Sequence, residues 1–410
     1  MACDPPHQPL LGVDEALERL LNAARPVDEI EQCALHHALG RVLASALVAP
    51  HNIPPTDNSA MDGYAINHRD LDASAQTTLP ISQRIIAGAV PQPLAPKSAA
   101  RIFTGAPIPD GADTVIPQEQ CIAEDEHVAI NGAIPKGKHI RRAGEDIANG
   151  SVYMQAGRRL QPQAMGLIAA NGVATVSIFR KLKVALLSTG NELMMPGEQI
   201  QAGRIYNSNH FTLSGLLQAL GCEIIAPGIV RDELAATSNA LSHAAREADI
   251  IISSGGVSVG EEDHVKAAIE LLGRLELWKL NIKPGKPLAF GQIAETPFFG
   301  LPGNPVSLFV TFCLFARPFI LRMQGMTEVL PQSLKAHAQF TRTKKGSRQE
   351  YVRSRISTTE SGMEVTPFDK QGSGVLSSTV WANSLTVIPP NSTIKPGDLV
   401  EVIPFSELVS

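Results

Sequence analysis

The residues best suited to chemistry in this chain gather around glycine. Ser253-Ser254-Gly255-Gly256-Val257-Ser258-Val259-Gly260 follows the apolar run Ile250–Ile252 and precedes a helical pattern that starts near Asp263. Adjacent glycines let backbone N–H groups approach a ligand, and a helix start adds partial positive charge. Gly255, Gly256 and Ser258 are therefore candidate contacts to an anion, with a tight turn as the plainer alternative. No Gly-Lys-Ser/Thr follows and the spacing is not G-x-G-x-x-G, so neither nucleotide motif is present. Two further turns match this one at apolar ends: Ser188-Thr189-Gly190-Asn191-Glu192 and Leu301-Pro302-Gly303-Asn304-Pro305. One such turn is common; three within one stretch of chain point to a ligand site.

Carboxylates recur at the same ends. Glu192 closes the first loop, Asp232 follows Val230, and Asp263 opens a helical run. Asp232 and Asp263 also suit helix N-caps, and a carboxylate with two oxygens can cap and ligate. Three carboxylates on one rim repel unless a cation or proton sits among them, and oxygen-only ligands favour Mg²⁺ over zinc. Lys279, Lys283 and Lys286 fall within eight residues, with Lys279, Asn281 and Lys283 expected on one face of a strand. Lysines near glycine loops suit an oxyanion or phosphate, whereas an isolated lysine is a solvated surface group. Arg353 and Arg355 recur along a later strand-like run; Arg353 could add a guanidinium fork, and Arg355 reads as surface charge. In the N-terminal part, Asp57–Tyr64 and Arg101–Pro107 crowd polar residues around glycine. The same composition also makes turns. No Ser/His/Asp set, H-E-x-x-H or metal-spaced histidine pair is present, so a triad hydrolase or zincin is unsupported.

Composition narrows the class. At 410 residues the chain exceeds one ordinary core. Its net charge of −5, without a basic block, argues against non-specific nucleic-acid binding. The five cysteines are scattered and never form C-x-x-C, which predicts a reducing compartment, the cytoplasm, rather than a disulfide framework. The N-terminus lacks a signal-peptide pattern, and the longest apolar stretch, 308–316, ends at Arg317-Pro318, too short to span a membrane.

The elements that must position these loops follow from periodicity. Asp14–Leu21 reads as an amphipathic helix with Ala16, Leu17, Leu20 and Leu21 on one face. From Val48 to about Val176, short strand-like runs between proline and glycine turns predict a mainly β region with much loop. From Leu182 to about Met323, strand-like runs (Val184–Leu187, Glu223–Val230, Ile250–Ile252, Leu275–Ile282) alternate with helical ones (Phe211–Leu220, Glu233–Ala248, His264–Leu272). That alternation predicts a parallel sheet with ligands beyond its carboxyl edge. Asn304 is placed to cap a closing helix with Pro305 in its first turn. From about Leu330 the runs read as a small β-barrel or sandwich.

Taken in order, six blocks resemble the molybdopterin molybdenumtransferase family, that of MoeA-type proteins and the gephyrin E domain. They are Asn58–Ala65, Phe103–Pro107, Gly144–Ile147, Ser188–Leu193, Gly255–Gly260 and Gly300–Pro305. After Gly260 the chain keeps the family's aspartate, as Asp263, but has Glu262 and His264 where many members carry aromatics. The resemblance implies a multi-domain α/β plus β fold in four parts. Residues 1–47 would form a helical segment packing with 148–180, and 48–147 a β-rich lobe, together making an elongated N-terminal region. Residues 181–326 would form a parallel-sheet, pterin-binding α/β domain, and 327–410 a C-terminal β-barrel. It also implies insertion of molybdate into adenylylated molybdopterin with release of AMP, dependent on Mg²⁺. Carried over by motif, Asp62, Thr104 and Asp146 line the site from the N-terminal region. Glu192, Asp232 and Asp263 hold Mg²⁺, and Lys279, Lys283, Lys286, Arg353 and Ser373 hold molybdate and phosphate. The family pattern further implies a homodimer with shared sites, to which a β-lobe poor in apolar periodicity lends weight. Exchange with a molybdopterin adenylyltransferase and with cofactor-accepting enzymes is implied too. The same pathway's adenylyltransferase and a gephyrin-like peptide scaffold are the alternatives.

Overall fold

The structure, a computed structural model, describes residues 10–132, 134–255 and 264–409. Helix α1 (Val13–Ala23) begins after Gly12 and carries Asp14 and Glu15 in its first turn, where acidic groups favour the helix dipole. It buries Ala16 and Leu20 in the core of the α/β domain rather than against 148–180. Segment 1–47 is thus divided, because β1 (Ile30–Ala34) and β2 (Leu47–Val48) pair with late strands of the N-terminal region.

The lobe that follows contains β3 (Asn58–Ser59), β4 (Gly63–Ile66), β5 (Thr77–Ile85), β6 (Ala99–Ile102), β7 (Thr114–Pro117), β8 (Cys121–Glu124), β9 (His127–Ile130) and β10 (Ile140–Arg141). Six of these form one sheet in the order β7-β4-β6-β5-β9-β8, and β10 pairs with β3. The sheet covers two small cores of its own, one with Tyr64, Ile66 and Ile116, the other with Ile85, Ile102 and Val115. The expectation of a lobe poor in core residues is corrected: its short strands hide apolar alternation that proline turns interrupt. The chain returns through β11 (Val152–Met154), α2 (Pro162–Ala170) and β12 (Thr175–Phe179), which close on β2 and β1.

The α/β domain opens with β13 (Lys183–Thr189), β14 (Leu193–Met194), β15 (Ile205–Tyr206) and α3 (Ser208–Ala219). It continues through β16 (Glu223–Ile225), β17 (Ile229–Val230), α4 (Leu234–Glu247), β18 (Ile250–Ser254) and α5 (His264–Leu272). Then come β19 (Gly273–Lys279), β20 (Ile282–Lys283), β21 (Pro287–Ile293), β22 (Thr296–Leu301), α6 (Pro305–Thr311) and α7 (Arg317–Met323). The seven-stranded sheet runs β16-β13-β18-β22-β21-β19, with β17 also on β13. It is parallel from β16 to β22, but β21 and β19 run antiparallel. The two residues between β21 and β22 allow a hairpin and are far too few for a crossover. The expected strand Leu275–Ile282 is broken at Leu280-Asn281: Lys279 ends β19, whereas Lys283 lies on β20 in a different sheet.

Residues 305–323 form one 19-residue helix, long and apolar enough to cross a membrane yet 94% buried inside the protein. The helix continues through Arg317-Pro318, where the apolar stretch ends, because a π-helical turn, Phe312–Ala316, precedes the proline and absorbs its missing N–H. Beyond it lie β23 (Leu334–Ala338), β24 (Gln349–Thr359), β25 (Gly362–Pro367), α8 (Ser377–Trp381), β26 (Ser384–Ile388) and β27 (Leu399–Pro404). Five strands, β24-β25-β23-β27-β26, close on themselves through β24–β26, so the C-terminal unit is a barrel, with β20 added in parallel on β24. Tyr351, Leu385 and Ile403 of the barrel share one core with α1 and the long helix. Cys33, Cys121, Cys222 and Cys313 are free thiols, and burial pushes those of Cys222 and Cys313 up to about 12.

Candidate active site

Three loops meet at the carboxyl edge of the parallel strands. Gly255 N–H donates to Leu301 O at 3.0 Å, and Asn209 Nδ2 donates to Gly303 O at 2.8 Å. A Cβ on Gly255 would lie 3.5 Å from Thr189 O, and one on Gly303 4.0 Å from Gly255 Cα, so the three loops are within van der Waals reach of one another. Gly190 has φ +148°, and a Cβ there would lie 2.5 Å from Glu192 Oε2. The Glu192 carboxylate is therefore folded back over Gly190; the φ favours glycine there, and a Cβ would displace the carboxylate. A cleft of about 300 Å³ beside it is lined by Gly190, Asn191, Arg204, Val230, Arg231 and Glu233. Glu192 and Asp232 are chain neighbours of these residues. Neither carboxylate has a hydrogen-bond partner among the described residues. Helix α4 takes Glu233 rather than Asp232 at its N-cap, without a side-chain bond, so Asp232 is not a cap. Gly256, Ser258 and Asp263 lie outside the described residues. Among those described, no cluster of three or more His, Cys, Asp or Glu assembles.

The cations come from both sides of the domain junction. Lys279 is half-buried at the end of β19, and its carbonyl accepts from Leu11 N–H at 2.9 Å. Lys283 and Lys286 are exposed on either side of the buried Pro284-Gly285 turn, which packs against Thr311 of α6. Arg353 on β24 is 1% exposed. Its Nε donates to Ser378 Oγ at 3.1 Å and its Nη2 to Gly372 O at 3.2 Å. No carboxylate pairs with it among the described residues, and burial lowers its pKa to about 10. Arg355 instead lies outside, stacked on Trp381 at 4.8 Å. The Gly372–Gly374 loop carries Ser373, whose carbonyl accepts from Val306 N–H at 3.0 Å. Asn304 occupies the N-cap of α6 but makes no side-chain cap bond. The barrel caps this helix through Ser373, an arrangement the sequence reading, with Asn304 as the cap, did not contain.

In the β-lobe, Asp62 Oδ1 accepts from both the N–H and the hydroxyl of Thr104, each at 2.7 Å. These bonds, the backbone one first, hold the exposed carboxyl below its ordinary value. Arg101 steadies the pair, its guanidinium 4.7 Å from the Phe103 ring centre and 5.1 Å from that of Tyr64. Asp146 is exposed and tied by its N–H to Ile53 O at 3.0 Å, while Asp57 binds Arg142 and the N–H of Ala143. The sequence reading passed over Arg142, although the pair Arg141-Arg142 beside the Gly144–Ile147 block was a visible cue. No hydrogen bond or ion pair among the described residues joins this lobe to the α/β domain, so Asp62 and Thr104 are not brought to Glu192 within one chain by such contacts. Arg204 and Arg231 were also missed, since each stands alone in a polar stretch. A larger cavity, about 710 Å³, lies at the opposite edge of the sheet around Arg180 and Asp249. Those two side chains are joined there by a bidentate ion pair, and no described residue of the glycine loops lines that cavity.

Comparison with known proteins agrees along the whole chain. Residues 11–172 match the MoeA N-terminal region (domain I and II), 185–322 the probable molybdopterin binding domain, and 335–405 the MoeA C-terminal region (domain IV). A molybdopterin molybdenumtransferase of Haemophilus influenzae is 39% identical over 98% of this chain and 100% of its own length. A Mycobacterium tuberculosis protein named molybdopterin molybdenumtransferase 2 is 38% identical over 75% of this chain and 78% of its own. The solved molybdopterin biosynthesis moeA protein of Pyrococcus horikoshii superposes with a TM-score of 0.83 at 30% identity, over 97% of this chain and 100% of that one. The chain belongs to the molybdopterin molybdenumtransferase family.

Proposed function

We propose that this protein transfers molybdenum from molybdate to the dithiolene of adenylylated molybdopterin, cleaving the phosphoanhydride and releasing AMP. The observation that carries the reading is Arg353: a buried guanidinium without a carboxylate partner, beside the loop that closes on the core helix. A buried cation is costly unless an anion compensates it, and a dianionic oxyanion is such a group. Lys283 and Lys286 would add charge from the turn facing the barrel, and Ser373 a hydroxyl. The glycine loops would take the pterin and phosphate, with backbone N–H groups as donors. Oxygen donors without hydrogen-bond partners suit Mg²⁺, which Glu192 and Asp232, with Asp263, would hold. Bound there, it would supply charge neutralisation for the departing phosphate. Asp62, held ionised by Thr104, would orient the substrate from the β-lobe together with Asp146.

We read the working unit as a cytoplasmic homodimer in which the β-lobe of one subunit completes the site of the other. Support comes from the absence, among the described residues, of any hydrogen bond or ion pair joining the lobe of Asp62 to the α/β domain of the same chain, and from the exposed apolar residues Ile205, Tyr206 and Phe211. An adenylyltransferase of the same pathway would supply the substrate, and cofactor-accepting enzymes would take the product. The test is incubation of purified protein with adenylylated molybdopterin, Mg²⁺ and molybdate. Molybdate-dependent AMP release with formation of active cofactor is expected; ATP consumption with molybdopterin and no AMP release would overturn the reading. For the dimer, Asp62→Ala and Glu192→Ala chains are mixed after subunit exchange. Equal mixing should return about a quarter of normal activity, since half the dimers carry one intact site. A monomeric mass, or no recovery after proven exchange, would rule out the shared site.

A further inference from the structure

The C-terminal barrel contributes a carboxylate to the junction that carries the lysines. Glu350 on β24 has a side chain only 9% exposed. Arg342 grips it with both guanidinium nitrogens, Nη1 to Oε2 at 2.8 Å and Nη2 to Oε1. Lys283 Nζ stands 3.5 Å from the same Oε1 while its own side chain is 51% exposed. The backbone fixes this meeting: Lys283 pairs with Glu350 where β20 runs parallel to β24, and Gln349 N–H donates to Asn281 O at 3.0 Å. Arg348 Nη1 adds a bond to Ile282 O at 3.1 Å. On the other side the Pro284-Gly285 turn is wedged on α6, where a Cβ at Gly285 would lie 2.4 Å from Thr311 Oγ1.

We propose that Glu350, pinned by Arg342, is a positioning residue that holds the Lys283 ammonium at the mouth of the oxyanion site. The group has two cations and one carboxylate, so a single positive charge is left over to meet an incoming oxyanion. Arg342 occupies both oxygens of Glu350, which keeps the carboxylate from following Lys283 and fixes where Nζ can stand. A lysine on a flexible four-carbon stem otherwise samples many positions, and ordering it before the anion arrives lowers the cost of binding. Glu350 itself is nearly buried and acts through Lys283.

This inference rests on the reading of Lys283 as an oxyanion contact, and a mutant cycle separates the two. Molybdate-dependent AMP release is titrated in the wild type, Glu350→Gln, Lys283→Met and the double variant, with thermal melts of each. Glu350→Gln is expected to raise the molybdate half-saturation concentration about tenfold, the usual scale for a group that orients a binding residue, while the rate at saturation stays within about twofold. In the Lys283→Met background the same change should have no further effect. Glu350→Asp, which keeps the ion pair with Arg342 but withdraws the carboxylate by one methylene, should give a smaller rise and carries the test if Glu350→Gln does not fold. Equal effects of Glu350→Gln with and without Lys283, or an unchanged half-saturation in Glu350→Gln or Glu350→Asp, would overturn the proposal. Absence of molybdate-dependent AMP release from the wild type would instead overturn the functional reading on which it rests.

Discussion

Replacing Arg353 by methionine separates stability from function at one position. The guanidinium is 1% exposed, and its pKa falls from an ordinary 12.5 to about 10 through burial. A fall of that size corresponds to about 3 kcal/mol of charge destabilisation, with little solvent screening at 1% exposure. Methionine removes that cost and adds about 1–2 kcal/mol of apolar burial. It forfeits the bonds to Ser378 and Gly372, at about 1 kcal/mol each. The sum is stability higher by about 2–3 kcal/mol, an unusual outcome for a buried substitution. Function should move the other way, because charged hydrogen bonds to an oxyanion are worth about 1.5–3 kcal/mol, or roughly 10–100-fold in affinity. Urea denaturation gives the first quantity and molybdate titration of AMP release the second. A variant destabilised by more than about 3 kcal/mol with normal molybdate dependence would show that Arg353 is a structural group, and the oxyanion assignment would fall.

Three further outcomes are expected. Gly325→Ala should lose about 2–4 kcal/mol in denaturant titrations, since Gly325 has φ +88° and a Cβ there would lie 2.3 Å from the Phe179 ring; a loss under about 1 kcal/mol would contradict the packing described. Gly190→Ala should raise the Mg²⁺ concentration for half-maximal activity at least about tenfold by displacing the Glu192 carboxylate, and an unchanged Mg²⁺ titration would remove Glu192 from the metal site. Asp62, with its pKa lowered from 3.8, keeps any stabilising effect above that value and loses it as pH falls through the lower folded-state value. It therefore stays ionised at working pH, and Asp62→Asn should depress activity by the same factor from about pH 5 to pH 9; a factor that varies with pH across that range would show titration of Asp62.

How much of this was legible in the sequence depended on range. The turns at 188–192 and 301–305 could be read because their position is encoded locally, by glycine and by the apolar runs before them. The same holds for the pair Asp62 and Thr104 at the level of motif. The split of the Leu275–Ile282 run could not be read, since its apolar pattern is continuous and only the competition between two sheets breaks it. Likewise, Asn304 has the chemistry of a cap, but Ser373 takes the role from 69 positions further along the chain. Glu350 sits in a strand buried on both faces, where period-two alternation vanishes and a lone carboxylate gives no sign of its partners. The widened turn inside the long helix was not legible for a related reason: only packing shows that the turn before Pro318 opens to let the helix continue.

The capping of the core helix by Ser373 also bears on how such a chain can be inherited. The middle unit looks like a portable cassette, flanked by separable neighbours. Yet its central helix starts against a carbonyl supplied by the last unit, and its short strand β20 stands outside its own sheet, paired only with β24 of the barrel. A cassette transplanted without the barrel would begin that helix with an orphan amide and leave an open strand edge, a template for self-association. Recombination should therefore favour exchange of the middle and last units as a pair. A free-standing middle unit would need its own way to finish that helix.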